Sequence, residues 1–154
     1  MKIKFSILTV FYLICSISCS VNSISYEQRP NIVLLLADDL GYGELGSYGQ
    51  KIIKTPNLDT LAKAGMIFKN FYAGNAACAP SRAVLLTGKK SSKSSIRGNA
   101  GFYGDERWEG ASLNKDDFTM GKMFKNAGYQ TAFIGKWHLD KPDDVGTWAV
   151  GHGF

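Results

Sequence analysis

Residues 31–37 read Asn-Ile-Val-Leu-Leu-Leu-Ala, and the carboxylates Asp38 and Asp39 follow directly. The run is apolar without alternation, so we expect both faces of this segment to be buried. A strand buried on both faces is typical of a parallel sheet that helices cover on either side. The sequence therefore predicts an α/β fold in which the first strand ends at Asp38-Asp39.

Two helices are predicted after the first strand. The first helix starts with Thr55 as its cap and Pro56 in its first turn, and Gly65 ends it. A strand over residues 66–72 separates it from a second helix, which begins near Pro80. The apolar positions expected to face the core are Leu58, Leu61 and Ala62 in the first helix, and Ala83, Val84 and Leu86 in the second.

The second half of the chain continues the alternation after a long polar segment. Residues 89–117 are rich in Gly, Ser and charge and are predicted to be mostly loop, whereas 119–127 predicts a helix and 129–135 a strand. This order predicts a doubly wound α/β layer. Because such sheets bind ligands beyond the carboxyl ends of their strands, Asp38-Asp39 and Lys136-Trp137-His138 are expected to meet at one rim.

The amino terminus has the layout of a secretory signal. A basic start is followed by an apolar run and then by small residues up to Ser20, too short for a stable membrane span. We assign residues 1–20 to this signal and 21–29 to a polar leader. Residues 16–19 also resemble a bacterial lipoprotein cleavage site, with Ser16 in place of the usual leucine. The expected location is exported, periplasmic or extracellular, with Cys19 as a candidate lipid anchor and the only expected membrane contact.

Charge and cysteine content limit the function classes. The 154 residues carry a net charge of +5 at pH 7, which falls to +3 without Lys2 and Lys4 of the signal. This balance gives no basis for nucleic-acid binding. With Cys15 and Cys19 in the signal region, Cys78 is the remaining cysteine, so a signal cleaved after Cys19 leaves no internal disulfide.

Adjacent carboxylates and a cysteine at a helix start are the first candidate site residues. Asp38 and Asp39 would suit a hard divalent cation, although a turn and cap pair is favoured when they are considered alone. Cys78 is expected at the amino end of a helix, where free amides favour an anion, with Arg82 one turn on along the same face. An inert buried cysteine has equal weight on this argument.

Lys136 and His138 form a second candidate group at the end of the last predicted strand. If the extended backbone continues, both side chains lie on one side of the strand and Trp137 on the other. A cation beside an imidazole suits an anionic substrate and proton transfer. The alternative, a solvated lysine and a hydrogen-bonded core histidine, is favoured for the pair alone. His152 is assigned no role.

Taken together, three motifs resemble those of the type I sulfatases and follow the family's order. They are residues 30–41, with the first strand and Asp38-Asp39; 78–88, Cys-Ala-Pro-Ser-Arg-Ala-Val-Leu-Leu-Thr-Gly; and 128–138, Gly-Tyr-Gln-Thr-Ala-Phe-Ile-Gly-Lys-Trp-His. Ala77 departs from the larger aliphatic or hydroxyl residue that the family often has there. The resemblance implies an alkaline-phosphatase-like fold, a mostly parallel sheet between helices, with residues 30–154 as a truncated amino-terminal part of the catalytic domain.

The resemblance also implies a cofactor chemistry. In this family the motif cysteine, here Cys78, is oxidised after translation to formylglycine by a maturation enzyme. One divalent ion, Ca²⁺ with Mg²⁺ as the alternative, would be held by Asp38, Asp39 and the modified Cys78.

The remaining motif residues would act around that group. Arg82 would stabilise the modified residue, Lys136 would hold sulfate oxygens and assist the leaving group, and His138 would hydrogen-bond the second hydroxyl. Cys78, Arg82, Lys136 and His138 are thus the predicted catalytic residues.

The function expected from the resemblance is hydrolysis of sulfate monoesters, of sulfated glycans or of smaller aryl sulfates. Family members usually run to several hundred residues, so the 154-residue chain is expected to be weakly active or inactive by itself. Two alternatives are a phosphonate or phosphodiester hydrolase of the same superfamily and an inactive remnant that binds anionic glycans through basic residues. Those residues are Arg82, Lys89, Lys90, Lys93 and Arg97; an aromatic sugar subsite from Phe102, Tyr103 and Trp108 is a further hypothesis, weighed against a surface loop.

Overall fold

The computed structural model describes residues 29–99, 101–103 and 107–154, with the backbone alone for 101–103 and 107–109. The chain divides into two units, residues 1–36 and 37–154. The predicted signal, residues 1–20, and positions 21–28 of the predicted leader lie outside the described residues. Within the described ranges, no helix has the length and hydropathy needed to cross a bilayer.

The described part of the second unit contains three α-helices: α1 (Pro56–Ala64), α2 (Cys78–Thr87) and α3 (Met120–Asn126). All three were predicted from the sequence, and α2 begins two residues earlier than expected. Short 3₁₀ turns connect them to the loops, at Gly46–Tyr48, Ser91–Lys93, Val145–Thr147 and Ala149–His152.

The hydrophobic core of this unit forms around α2. Ala79, Ala83 and Leu86 of this helix are buried, which confirms the prediction for Ala83 and Leu86, whereas Val84 is half-buried. Three residues from loops complete the cluster of buried side chains: Ile96, Leu113 and Leu139. The inner face of α2 therefore anchors the helix whose amino end carries Cys78.

Helix α1 is held by polar contacts at its amino end. Thr55 Oγ1 accepts a hydrogen bond from the Gly46 amide at 2.9 Å and donates to Asp59 Oδ1 at 3.1 Å. The predicted Thr55 cap is therefore wrong, because this hydroxyl bonds to the preceding turn and to Asp59 instead of the first amides of α1.

The predicted apolar stripe of α1 is not buried. Leu58 is 43% and Leu61 63% exposed, and Ala62 is half-buried. The prediction of burial is wrong because amphipathic spacing shows only which face can be covered, and no described element of this unit covers it.

Three predicted strands have no strand assignment: residues 31–37, 66–72 and 129–135. A strand is assigned where ladder hydrogen bonds join it to a partner strand. The described residues of neither unit contain such a partner for these three segments. The described strands are instead β1 (Gly101–Tyr103) and β2 (Arg107–Glu109), an antiparallel pair inside the segment predicted to be mostly loop.

The carboxyl-terminal segment packs on α3. Thr119 caps α3 by accepting the Lys122 amide at 3.3 Å, and its hydroxyl donates to the His152 carbonyl at 2.6 Å. Gly121 is required at this contact, because a Cβ there would lie 2.7 Å from that same carbonyl oxygen. The close approach fixes residues 152–154 against the first turn of α3.

His152 is fully buried, and its ring centre lies 5.9 Å from that of Trp137. Neither ring nitrogen has a hydrogen-bond partner among the described residues. Burial lowers the pKa of His152 because it disfavours the imidazolium form, and the charge of Lys122 acts in the same direction. The charge and main chain of Asp117 oppose this effect more weakly.

This burial predicts a loss of stability in mild acid. In the unfolded chain His152 takes up a proton near pH 6.5, whereas the folded state resists protonation at that pH. The free energy of unfolding should therefore be constant above this pH and fall as the pH drops below it. Urea denaturation followed by tryptophan fluorescence should show this fall begin near pH 6.5 and continue at lower pH.

His152→Leu should remove most of this pH dependence without destabilising the protein at neutral pH, because the two unpartnered nitrogens disappear. His138→Gln, which changes the other histidine of the chain, is the matched control and should retain the dependence. An unchanged pH dependence in His152→Leu would contradict the assignment.

Candidate functional site

Asp38 is the centre of a polar cluster formed by segments far apart in the sequence. Its Oδ1 accepts a hydrogen bond from Arg82 Nη2 at 2.8 Å, and its Oδ2 accepts one from Lys136 Nζ at 2.9 Å. Arg82 lies on α2, whereas Lys136 follows the segment predicted to be the last strand. The structure thus brings these three sequence-predicted residues together.

Arg82 connects both neighbours. Its Nη1 donates to the main-chain carbonyl of Lys136 at 2.6 Å while Nη2 binds Asp38. The side chain is only 10% exposed, and its Nε is buried without a hydrogen-bond partner among the described residues. A planar guanidinium can donate in two directions at once, which a lysine ammonium on one flexible stem does less well.

Asp39 and Cys78 complete the cluster beside Asp38. The potential ligand atoms of these three residues all lie within 4.8 Å of one another. Because Ca²⁺ binds oxygen at about 2.3–2.6 Å, two ligands of one ion lie up to about 5 Å apart. The spacing therefore fits a single divalent cation, with two carboxylates as the hard, negatively charged donors that such an ion prefers.

Cys78 is the first residue of α2 and is a free, half-buried cysteine, as expected for its position at the helix start. The amides on either side of it are bound by asparagines: Ala77 donates to Asn75 Oδ1 and Ala79 to Asn99 Oδ1, each at 3.0 Å. Neither asparagine was predicted from the sequence to contact the start of α2. The available signal was Ala77, because its side chain cannot cap the helix and another acceptor is therefore needed.

His138 is placed differently from the prediction. Its backbone has a φ of 60°, so the extended conformation does not continue through it and the argument that it shares a side with Lys136 is wrong. Its Nδ1 is buried without a hydrogen-bond partner, and no hydrogen bond links its ring to Asp38 or Cys78 among the described residues.

Asp39 has the same backbone φ of 60°. Non-glycine residues in this left-handed region cost of order 1–3 kcal/mol each, and such positions concentrate at functional sites. Of the six predicted site residues, the two with this conformation, Asp39 and His138, each follow a segment predicted to be a strand.

The charges in the cluster stabilise one another. The hydrogen bond from Lys136, followed by that from Arg82, holds the pKa of Asp38 below its ordinary value. The same contact with Asp38 raises the pKa of Lys136. The carboxylate and the ammonium are therefore both charged across the neutral range, and Lys136 keeps a cation beside Cys78.

The basic run that was considered for anionic glycans is partly occupied by internal contacts. Lys89 forms an ion pair with the buried carboxylate of Asp117, and Arg97 Nη2 donates to the Ser92 carbonyl at 3.2 Å. The ion pair offsets the charge of Lys89, and the main-chain contact occupies one donor of Arg97. The side chains of the proposed aromatic subsite, Phe102, Tyr103 and Trp108, lie outside the described part of the chain.

Comparison with known proteins identifies the class. The sulfatase family model matches residues 30–154, and the chain belongs to this family. It is 39% identical over 134 residues to N-acetylglucosamine-6-O-sulfatase of Bacteroides thetaiotaomicron, covering 86% of this chain and 22% of that protein. It is 40% identical over 121 residues to human N-acetylgalactosamine-6-sulfatase, covering 73% of this chain and 22% of that protein.

A solved structure supports the fold class. The crystal structure of Ps i-CgsB matches with a TM-score of 0.72 and 38% identity, over 82% of this chain and 27% of that one. The predicted alkaline-phosphatase-like α/β fold class is confirmed by this similarity and the family match. The chain spans about a fifth of the length of the curated relatives it matches.

The bridging role of Arg82 predicts that lysine cannot replace it. Arg82→Lys keeps the charge but cannot bind Asp38 and the Lys136 carbonyl together, so the free energy of unfolding should fall by about 1–3 kcal/mol. Urea denaturation measures this loss. Arg97→Lys, at an exposed arginine with one main-chain contact, is the matched control and should change little; equal losses in both variants would contradict the bridge.

Proposed function

We propose that this protein is a sulfatase that hydrolyses sulfate monoesters of glycans through a formylglycine derived from Cys78. The observation that supports this most strongly is the cluster in which Cys78, at the start of α2, shares one site with Asp38 and Asp39. The cluster belongs to a chain that matches the sulfatase family model over residues 30–154.

The proposed reaction uses the hydrated aldehyde, in which water has added to the carbonyl of modified Cys78 to give two hydroxyl groups on one carbon. One hydroxyl oxygen attacks sulfur, the bond from sulfur to the ester oxygen breaks, and the alcohol leaves with a proton. The second hydroxyl then loses its proton, its oxygen re-forms the aldehyde, and the bond from carbon to the sulfate oxygen breaks. Water is consumed, and alcohol and sulfate are released.

Two cations of the cluster suit this chemistry. Lys136 is partly exposed and its charge is fixed by Asp38, so its Nζ is available to hold an anionic sulfate and to stabilise charge on the departing oxygen. Arg82 is buried and both of its terminal nitrogens are engaged, so its role is to hold Asp38 and the Lys136 main chain in place.

His138 is the proposed proton acceptor for the second hydroxyl. Its Nδ1 has no hydrogen-bond partner among the described residues, and an imidazole nitrogen can act as a general base. This role requires the ring to reach modified Cys78 when substrate binds.

The donor set of the cluster fits a divalent cation. Asp38, Asp39 and the oxygen of modified Cys78 would hold it, and hard oxygen donors favour Ca²⁺ or Mg²⁺. When bound, such an ion acts as a Lewis acid that polarises an oxygen of the nucleophile or of the sulfate. Because Asp38 is bound by two cations, an ion would compete with Lys136 for Oδ2.

The substrate class follows from the relatives. Two of them are named for the 6-sulfate of N-acetylglucosamine and of N-acetylgalactosamine. We therefore propose that the protein acts on glycans with 6-sulfated N-acetylhexosamine, after maturation by a formylglycine-generating enzyme. Export through residues 1–20, to the periplasm or the extracellular space, is part of the same proposal.

Conversion of Cys78 is tested by mass spectrometry of protein from its native host. Trypsin should release the peptide 70–82, and exchange of the CH₂–SH group for an aldehyde should lower its mass by about 18 Da relative to the thiol form. Cys78→Ala should show no such change and no turnover. A native peptide with an intact thiol, in a preparation that hydrolyses sulfate esters, would contradict the formylglycine mechanism.

The role of Lys136 is tested by turnover of N-acetylglucosamine-6-sulfate. Lys136→Met should lower kcat by about 10²-fold or more, because one cationic donor to the reacting oxygens is lost. Lys125→Met, at an exposed position near the end of α3, is the matched control and should retain activity. Faster turnover of a phosphonate or phosphodiester than of the sulfate by the unchanged protein would favour the other hydrolase class.

A further inference from the structure

We propose that Asn75 and Asn99 are positioning residues for Cys78, because their side-chain oxygens bind the amides of the residues before and after it. The Ala77 amide donates to Asn75 Oδ1 and the Ala79 amide to Asn99 Oδ1, both at 3.0 Å. The proposal rests on the proposed function in so far as Cys78 supplies the nucleophile. Neither asparagine is placed in contact with the reacting atoms.

The contact from Asn99 replaces a missing helix cap. The first amides of a helix have no partner within the helix, and the residue before it usually supplies a side-chain acceptor. Ala77 occupies that position in α2 and has none. Ala79 is 1% exposed, so water cannot satisfy its amide, and Pro80, the next residue, has no amide hydrogen. Asn99, twenty residues further on, supplies the acceptor.

The contact from Asn75 acts on the other side of Cys78. Its Oδ1 accepts from the Ala77 amide, and its Nδ2 donates to Ser91 Oγ at 2.9 Å. The amide group is therefore bound at both ends, which fixes its orientation. Ser91 begins the 3₁₀ turn that follows α2, so Asn75 connects the segment before this helix to the turn after it.

Asn99 is itself anchored by the core. Ile96, three residues earlier, is fully buried in the same cluster as Ala79 and Ala83 of α2. The Ile96 amide donates to Ser94 Oγ at 3.2 Å, which shapes the turn that leads to Asn99. Asn99 itself is exposed, and it is the buried Ile96 that holds the backbone leading to it beside the first turn of the helix.

The consequence is a fixed direction of the Cys78 side chain. The Ala79 amide belongs to the peptide plane that directly follows Cys78, and the Ala77 amide to the plane one residue before it. Movement of either plane would shift the Cys78 Cβ relative to Asp38 and Asp39, whose ligand atoms lie within 4.8 Å of the Cys78 sulfur. Small errors in the placement of a reacting group reduce rate strongly. Loss of either asparagine oxygen should therefore lower kcat, with KM nearly unchanged, because substrate contacts are not removed.

The hydrogen bond is tested first, independently of activity, by amide hydrogen exchange of the full chain. Asn99→Ala should accelerate exchange of the Ala79 amide about tenfold or more, while Leu86, at the other end of α2, should change little. Asn99→Asp keeps a side-chain acceptor and should restore slow exchange at Ala79. Asn126→Ala, at an exposed asparagine of α3, is the matched control. An unchanged Ala79 amide in Asn99→Ala would overturn the proposal.

The positioning role is tested on the matured enzyme. Asn75→Ala and Asn99→Ala should lower kcat about tenfold or more with KM within about twofold, and Asn75→Asp and Asn99→Asp should restore most of kcat. An unchanged kcat in either alanine variant, despite faster exchange at the flanking amide, would overturn the proposal. An unconverted Cys78 thiol in protein from the native host would count against the proposed function, and the exchange measurement would still decide whether the asparagines fix these amides.

Discussion

The guanidinium of Arg82 is the contact on which the rest of the candidate site depends. It donates to the Asp38 carboxylate with one nitrogen and to the Lys136 main chain with another, so one side chain joins residues that are 44 and 54 positions away. Its burial excludes water that would otherwise compete for these bonds. Because the Asp38 carboxylate is held by this contact, Lys136 can bind its second oxygen.

Helix α2 links this contact to the core. Its inner face buries Ala79, Ala83 and Leu86, and the same helix presents Cys78 in its first turn and Arg82 one turn later. Core packing thus fixes the position of the helix, and with it the positions of the two site side chains that the helix carries. Asn75 and Asn99 fix the backbone around Cys78, where the helix has no side-chain cap of its own.

The helices could be predicted because their signals are local. Pro56 and Gly65 mark the bounds of α1, and Thr119 caps α3 as a hydroxyl residue at that position should. The strands could not be located in the same way, because strand assignment depends on partners elsewhere in the chain. The prediction that Leu58 and Leu61 are buried was wrong for a related reason, since spacing identifies an apolar face but not what covers it.

The site was predicted from motif residues, and Asp38, Asp39, Cys78, Arg82 and Lys136 do lie together. The meeting of Asp38 and Asp39 with Lys136 was expected from strand ends at one rim, and their association with Cys78 and Arg82 from the family resemblance. Two features could not be predicted. The left-handed backbone at His138 is a single-residue property of the folded chain. The contacts of Asn75 and Asn99 depend on the path of the loops around α2, which no local pattern specifies.

Arg82 and Asp38 act as one unit that assembles the site, and a double-mutant cycle measures the coupling between them. Asp38→Asn, Arg82→Met and the double variant would be compared by urea denaturation at low ionic strength. The double variant should lose clearly less stability than the two single losses added together, because each single change removes the same contact. Strictly additive losses would show instead that the two residues act independently and do not assemble the site as a unit.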